Sequence, residues 1–342
     1  MGVDLKNLIS PKVTSFRELT GRSIAMDAYN TLYQFLATIR QLDGMPLVDS
    51  KQRVTSHLSG LFYRTVNLIE RGIKPVFVFD GTPPKLKLRT IKERKEVRKE
   101  AEKKWKDALE RRDLKAARKY AQSAIWLTDD MADESKKLLT AVGIPHIQAP
   151  SEGEAQAAYM TIKGDVWGTG SQDWDALLFN ARILIRNLTI TGRRKLPGKE
   201  VYIKVEPESI VGAEVLQKLE ITREQLVDIG ILIGTDYNTG VKGVGAKTAL
   251  NLIKKYGTLE RTIKAKGFEI EPSINQIRRI YLEPKVTDDY TIEWRQPNKD
   301  KIVALLCDEH DFSYERVQKA LERLEKGIFT GKQTSLETWF GK

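Results

Sequence analysis

Cysteine and histidine are almost missing from this 342-residue chain. A single cysteine, Cys307, excludes a disulfide framework and any cysteine-rich zinc site. Only His57, His146 and His310 stand in for histidine, too few for a histidine-built metal centre. No apolar run approaches the roughly 18 residues of a membrane span, and the N-terminus lacks a signal-peptide core. Met1-Gly2 opens like a myristoylation site, but Lys6 stands where that motif needs Ser or Thr. The expectation is a soluble cytoplasmic protein with no membrane partner. What the chain does have is charge: 57 basic residues against 46 acidic, a net of +11, beside an ordinary 41% of hydrophobic residues. That balance makes a polyanionic partner the first to consider.

The excess charge is concentrated. Between Lys85 and Lys119 stand 16 Lys or Arg and 7 Asp or Glu. The segment has no Gly or Pro after Pro84 and is rich in Lys, Glu, Arg, Ala and Leu, which favour helix. Its apolar stripe is thin: Ala101, Trp105, Ala108 and Leu109. A helix this polar cannot lie in a core, so it either projects into solvent, laced by Glu–Lys pairs, or meets a charged ligand. The lopsided sign favours contact with phosphates.

The N-terminal half alternates apolar runs with helical patterns, as parallel α/β units do. Ser23 to Met26 reads as a buried strand ending at Asp27, Thr55 to Arg71 as a helix, and Pro75 to Phe79 as a strand ending at Asp80. Ile144 to Ile147 is a short strand leading into Pro150-Ser151-Glu152-Gly153-Glu154 and an Ala-rich helix. The Gly-rich Asp165 to Ser171 reads as a strand running into Asp173-Trp174-Asp175. Arg182 to Leu188 and Glu200 to Val205 are expected to pair antiparallel around the basic loop Gly192 to Gly198. After Pro207 the chain reads as mostly helical, and from Gly327 as a loose tail.

Asp27 and Asp80 each close an apolar strand, and Glu152, Glu154, Asp173 and Asp175 each follow one. Ligand sites of open α/β sheets lie beyond the carboxyl ends of the strands, so these six are expected in one cleft. Asp236, after the apolar helix Leu226 to Ile233, can join from a separate element. Carboxylates without histidine or thiolate suit hard ions such as Mg²⁺ or Mn²⁺. Each residue also has a local reading. Asp27 and Asp80 fit helix caps or turns, Ser151 to Glu154 fits a capping box, and Asp173 and Asp175 fit a first helical turn.

At these residues the sequence resembles the flap endonucleases, structure-specific 5′ nucleases of the archaeal and eukaryotic type. The resemblance runs from Met1-Gly2-Val3 through Asp27-Ala28 and Val76-Phe77-Val78-Phe79-Asp80-Gly81 with Pro83-Pro84. It continues through Ala149-Pro150-Ser151-Glu152-Gly153-Glu154-Ala155-Gln156, Ser171-Gln172-Asp173-Trp174-Asp175 and Gly234-Thr235-Asp236-Tyr237. It implies an α/β, PIN-like nuclease core with a mostly parallel central sheet flanked by helices. A basic helical arch would span about 84–130, and a helical C-terminal region would carry a helix–hairpin–helix-like element at about 225–257. The nuclease domain would span 1–326 and the chain would act as a monomer. It implies cleavage of 5′ flaps at their junction with duplex DNA, with 5′–3′ exonuclease activity, in Okazaki fragment processing and repair. The implied ligands of two Mg²⁺ ions, replaceable by Mn²⁺, are Asp27, Asp80, Glu152, Glu154, Asp173, Asp175 and Asp236. Lys87 and Arg94 match residues that contact the scissile phosphate, Tyr33 an aromatic that stacks on a base near the cut, and Lys95 and Arg98 further contacts of the arch.

Gly240 to Lys247 opens a helical run to Tyr256 and resembles the element whose glycines, Gly243 and Gly245, admit duplex phosphates beside Lys247, often with K⁺. This chain has Gly240 where relatives offer that ion a Ser. A plain helical hairpin is the simpler reading. The tail 327–342 contains Gln333, Leu336, Trp339 and Phe340, similar to the motif by which replication proteins bind a sliding clamp of the proliferating-cell-nuclear-antigen type. One helical turn would set its three apolar side chains on one side as a plug. The early stop after the motif and the Lys- and Glu-rich composition favour an archaeal, nucleoid-associated protein. The competing expectations are a related repair exonuclease and a non-catalytic junction-binding protein recruited by the clamp.

Overall fold

The computed structural model describes residues 2–41, 43–190, 193–195, 202–270 and 274–340; for 193–195, 202–203 and 328–340 the description is of the backbone alone. The chain enters through β1 (Lys12–Val13) and β2 (Ser23–Asp27), whose apolar run is buried on both faces. Helices α1 (Ala28–Thr38) and α2 (Ser56–Glu70) lead to β3 (Lys74–Phe79), a second buried run. The basic segment follows as α3 (Lys87–Glu110) and α4 (Leu114–Ser123), then α5 (Asp129–Val142) and β4 (His146–Gln148). Next come α6 (Gly153–Lys163), β5 (Gly168–Gly170), α7 (Asp175–Leu178) and β6 (Ile183–Arg186). Strands β7 (Arg193–Lys195), β8 (Tyr202–Lys204) and β9 (Glu208–Val211) precede α8 (Gly212–Leu219) and α9 (Arg223–Ile233). The C-terminal part is helical: α10 (Ala246–Tyr256), α11 (Leu259–Lys266), α12 (Ile274–Leu282), α13 (Lys299–Val303), a π-helical turn (Ala304–Asp308) and α14 (Tyr314–Phe340).

Seven strands form one sheet in the order β1-β9-β6-β5-β2-β3-β4. The strands from β6 to β4 are mutually parallel, and β9 pairs antiparallel with both β6 and β1. Buried apolar runs such as β2 and β3 suit the middle of a parallel sheet covered on both faces. On one side α1, α2 and α5 pack with the last helix, through Val317, Ala320, Leu321 and Leu324. A second core joins Val3, Leu5 and Ile9 at the chain's start to α7 and the helices from α9 to α12.

Three expectations need correction. Among the described residues, Arg182 to Leu188 does not pair with 202–205, and residues 200–201 of the expected partner lie outside them. β6 pairs with β9, just past Pro207 where helix was expected, while β7 and β8 make a separate two-stranded ribbon. Of the expected basic loop, Gly192 and 196–198 lie outside the described residues. The basic segment is a hairpin of two helices, because Arg112 turns left-handed at φ 57° and Asp113 caps α4 through the Ala116 N–H at 2.9 Å. The segment from Gly327 expected to be a loose tail continues α14 as helix to Phe340.

Candidate active site

Asp27 ends β2, the strand flanked by β3 and β5, so its side chain leaves the sheet near the middle of its carboxyl edge. There it also caps α1, accepting from the Asn30 N–H at 3.0 Å, so its cap reading and its place in the cluster both hold. Asp80, just past β3, accepts from the Gly153 N–H at 2.6 Å. A Cβ at 153 would stand 2.7 Å from the Asp80 carboxylate oxygen, so any larger residue there would push that carboxylate aside. Glu152 precedes α6 and takes the Lys87 ammonium at 2.5 Å. Glu154, one residue into α6, accepts from the Ser171 hydroxyl at 2.6 Å, and Ser151 donates instead to the Thr82 carbonyl. The expected capping box is therefore not made: α6 has no side-chain cap. Asp173 accepts from the Asn30 side-chain amide at 3.0 Å, and Asp175, opening α7, from the Val3 N–H at 2.6 Å. Asp236 follows α9 and is gripped by Arg94 at 2.5 Å and Lys87 at 3.5 Å.

All seven carboxylates line one cavity of about 1550 Å³, together with Tyr33, Lys87, Arg94 and Arg98. α3 forms its wall, and the first turns of that helix lower Lys87 and Arg94 onto the acids. Burial raises the pKa values of Asp27 and Glu154 well above the ordinary carboxylate range, and neighbouring carboxylates add to the rise. Burial likewise raises Asp80, Glu152 and Asp173, and pushes Asp175 up to about 7 with help from Asp236 and Asp173. Asp236 is the exception. Burial works to raise it, but Arg94 and Lys87 outweigh burial and hold it below the usual range. Lys87 is itself pushed up: Glu152, Asp80 and Asp236 overcome the cost of its burial.

The cluster thus holds more negative charge than its two cations offset, and its donors are all oxygens, which is the chemistry of a hard divalent ion. Among the described residues no three His, Cys, Asp or Glu side chains close into a cage for an ion. Lys87 and Arg94 take the partner positions instead. The donor set fits a metal in charge and atom type, with these two cations as its competitors.

The rest of the expected set divides. Tyr33 is half-buried at the cavity wall with the Arg98 guanidinium 4.9 Å from its ring centre, and Trp126 lies 6.0 Å from the same guanidinium. Lys95 is exposed outside the cavity lining. Four Lys–Glu or Arg–Glu pairs run along α3, so the solvated-face reading is partly realised, but basic residues still outnumber acidic ones there. Gly243, Gly245 and Lys247 sit apart, exposed at the start of α10, and a Cβ on either glycine would meet only open space. Gln333, Leu336, Trp339 and Phe340 lie on the final turns of α14. The sequence reading missed Asn30, whose only signal was its place one turn after Asp27. It also missed Arg186, which donates to the Gln172 carbonyl at 3.2 Å and lies 4.3 Å over the Trp174 ring.

Two family models match the chain: the XPG N-terminal domain over residues 1–101 and the XPG I-region over 143–236. They leave out the far half of the α3/α4 hairpin and contain all seven carboxylates. Over the full length of both proteins, the chain is 54% identical to flap endonuclease 1 of Thermococcus onnurineus. It is 55% identical to that of Ignicoccus hospitalis, again end to end. The chain belongs to the flap endonuclease 1 family. The family is one of metal-dependent nucleases. The solved flap endonuclease-1 from Methanococcus jannaschii matches with a TM-score of 0.77 at 44% identity, covering 96% of this chain and 99% of that one. The catalytic core of Rad2 in complex with DNA substrate matches at 0.69 and 26% identity, over 92% and 96%. These matches carry the PIN-like nuclease fold, and the mixed sheet with flanking helices is that fold. No helix among the described residues is long and apolar enough to cross a membrane.

Proposed function

We propose that this chain is a structure-specific endonuclease that cuts a 5′ single-stranded flap at its junction with duplex DNA, with 5′–3′ exonuclease action in the same cleft. One observation carries the reading: seven carboxylates floor a cavity whose wall is the most basic helix of the chain. A single strand entering beside α3 would pass Tyr33 and Arg98 and bring a phosphodiester to Lys87 and Arg94. Those cations would exchange carboxylate partners for phosphate oxygens and offset the charge that builds there in the transition state. The seven carboxylates would hold two Mg²⁺ ions, or Mn²⁺, whose chemistry is to activate water and stabilise the leaving oxygen.

The duplex would lie on α10, its phosphates approaching the Gly243 and Gly245 backbone and Lys247. Any K⁺ there would be held by backbone carbonyls. Gly240 sits at φ +70°, and a Cβ on it would fall 2.2 Å from the Ile233 carbonyl oxygen, so the chain fold demands glycine where relatives offer a hydroxyl. Leu336, Trp339 and Phe340, three and four residues apart in sequence, would form an apolar plug for a groove on a sliding clamp. Such an enzyme serves Okazaki fragment processing and repair. Cleavage of 5′-flap, nicked, bubble and single-stranded DNA, with and without Mg²⁺, tests the reading. Mg²⁺-dependent cutting at the flap junction is expected; equal cutting of flap and plain single strand would overturn it.

A further inference from the structure

One of the seven carboxylates, Asp173, stands on the short loop between β5 and α7, a segment with no ladder of its own to fix it, and Asp175 opens the helix that the loop leads into. Asn30 reaches that loop from the first turn of α1. Its side-chain Nδ2 donates to Asp173 Oδ2 at 3.0 Å, its Oδ1 accepts from the Gln172 N–H at 3.3 Å, and its own N–H donates to Asp27 at 3.0 Å. The partners fix which way the amide faces, because an N–H can only donate and an ionised carboxylate can only accept. A carboxamide is the side chain of this size that satisfies both at once. Aspartate would set an anion against Asp173, and an aliphatic group would leave both partners unmet. From the other side Arg186 holds the Gln172 carbonyl at 3.2 Å and covers Trp174, so the loop is gripped at one residue, Gln172, from two elements.

We propose that Asn30 is a positioning residue of the catalytic cluster: it ties the end of β2 to the loop after β5 and fixes the one Asp173 oxygen it touches, leaving the other to a metal ion. The inference rests on the reading of the cluster as a metal site, and its test separates the two. Mn²⁺ binding is followed by electron paramagnetic resonance, without DNA, for wild type, Asp173→Asn, Asn30→Leu and Asn30→Ala. Loss of a group that orients a metal ligand weakens binding about 10–100-fold. At least a tenfold loss is expected in both Asn30 variants, with melting in chelator within a few degrees of wild type and flap affinity in chelator unchanged. Asn30→Ala removes the same bonds without a bulky side chain, so it decides the matter should leucine fail to pack. Mn²⁺ affinity within twofold of wild type in a folded Asn30 variant, while Asp173→Asn is impaired, would overturn the role of Asn30 alone. Equal binding by wild type and Asp173→Asn would overturn the metal reading and this inference with it.

Discussion

Replacing Asp175 with asparagine should make the metal-free protein more stable, and most so at neutral to alkaline pH. Asp175 is 6% exposed, and its ionisation is pushed from the ordinary 3.8 to about 7, by burial first and then by Asp236 and Asp173. A carboxyl raised in the folded state binds a proton that the unfolded chain has released. Its contribution to stability is complete below about pH 4 and is lost as pH rises through about 7. Above that, the folded protein carries a buried charge costing about 1.4 kcal/mol for every tenfold loss of acidity, roughly 4 kcal/mol as a ceiling. The repulsion is shared with neighbours that also hold protons, so roughly 2–4 kcal/mol is a fair range. Asparagine keeps an oxygen for the Val3 N–H, now 2.6 Å from the carboxylate, while shedding the charge. At about 2 °C per kcal/mol for a chain of this size, melting in chelator near pH 8 should rise by about 4–8 °C. The gain should fall to roughly a third near pH 5 and vanish below about pH 4, and saturating Mg²⁺ should reverse it, because the wild type then gains binding energy that the variant has lost. Calorimetry at the two pH values, with and without metal, is the assay. An unchanged melting temperature near pH 8, or an equal gain near pH 5, would refute the account of the buried charge.

Lys87→Ala should slow the chemical step about 10²–10³-fold at saturating flap, since it removes one preorganised cation, whereas Lys119→Ala should weaken binding only; equal single-turnover rates for the two would refute this. Neutralising Lys95, Arg98 and Lys99 together should flatten the salt dependence of flap binding by about 2 units on a log–log plot, at roughly 0.7 per phosphate contact on single strand; an unchanged slope would make α3 a solvated face. Deleting residues 333–342 should leave cleavage of bare flap intact and abolish stimulation by a sliding clamp. Trp339→Ala alone should cost about 2 kcal/mol of clamp affinity by titration calorimetry, and equal affinities would refute the docking role.

The strands carrying Asp27 and Asp80 were legible because a buried parallel strand is written as an unbroken apolar run, and an acid closing such a run marks the edge where ligands bind. β9 was not legible. Ser209-Ile210-Val211 is too short to show a period, Pro207 before it suggested a boundary, and its partner β6 was already matched to a nearer segment. The split of the basic helix turned on Arg112 adopting a left-handed backbone, which no local composition announced. Ser151 to Glu154 carries the spacing of a capping box, yet Ser171, distant in sequence, claims Glu154; tertiary competition decided it. Asn30 was invisible for a related reason. Its meaning lies in a loop about 140 residues away.

The same interleaving of distant segments sets the timing of the protein's birth. Strand β2 lies between one strand that precedes the hairpin and another, β5, that follows it by some forty residues, while Asp236 arrives about 200 residues after Asp27. At ribosomal rates of about 5–20 residues per second, Asp27 emerges roughly 10–40 s before its last partner is made. The helix that closes the first core, α14, is synthesised last of all. A chain that stops short of Asp236 therefore lacks one of the seven acids of the cleft. Pairings this distant in sequence form slowly, and until they do the apolar faces of α2 and the N-terminal segment wait uncovered.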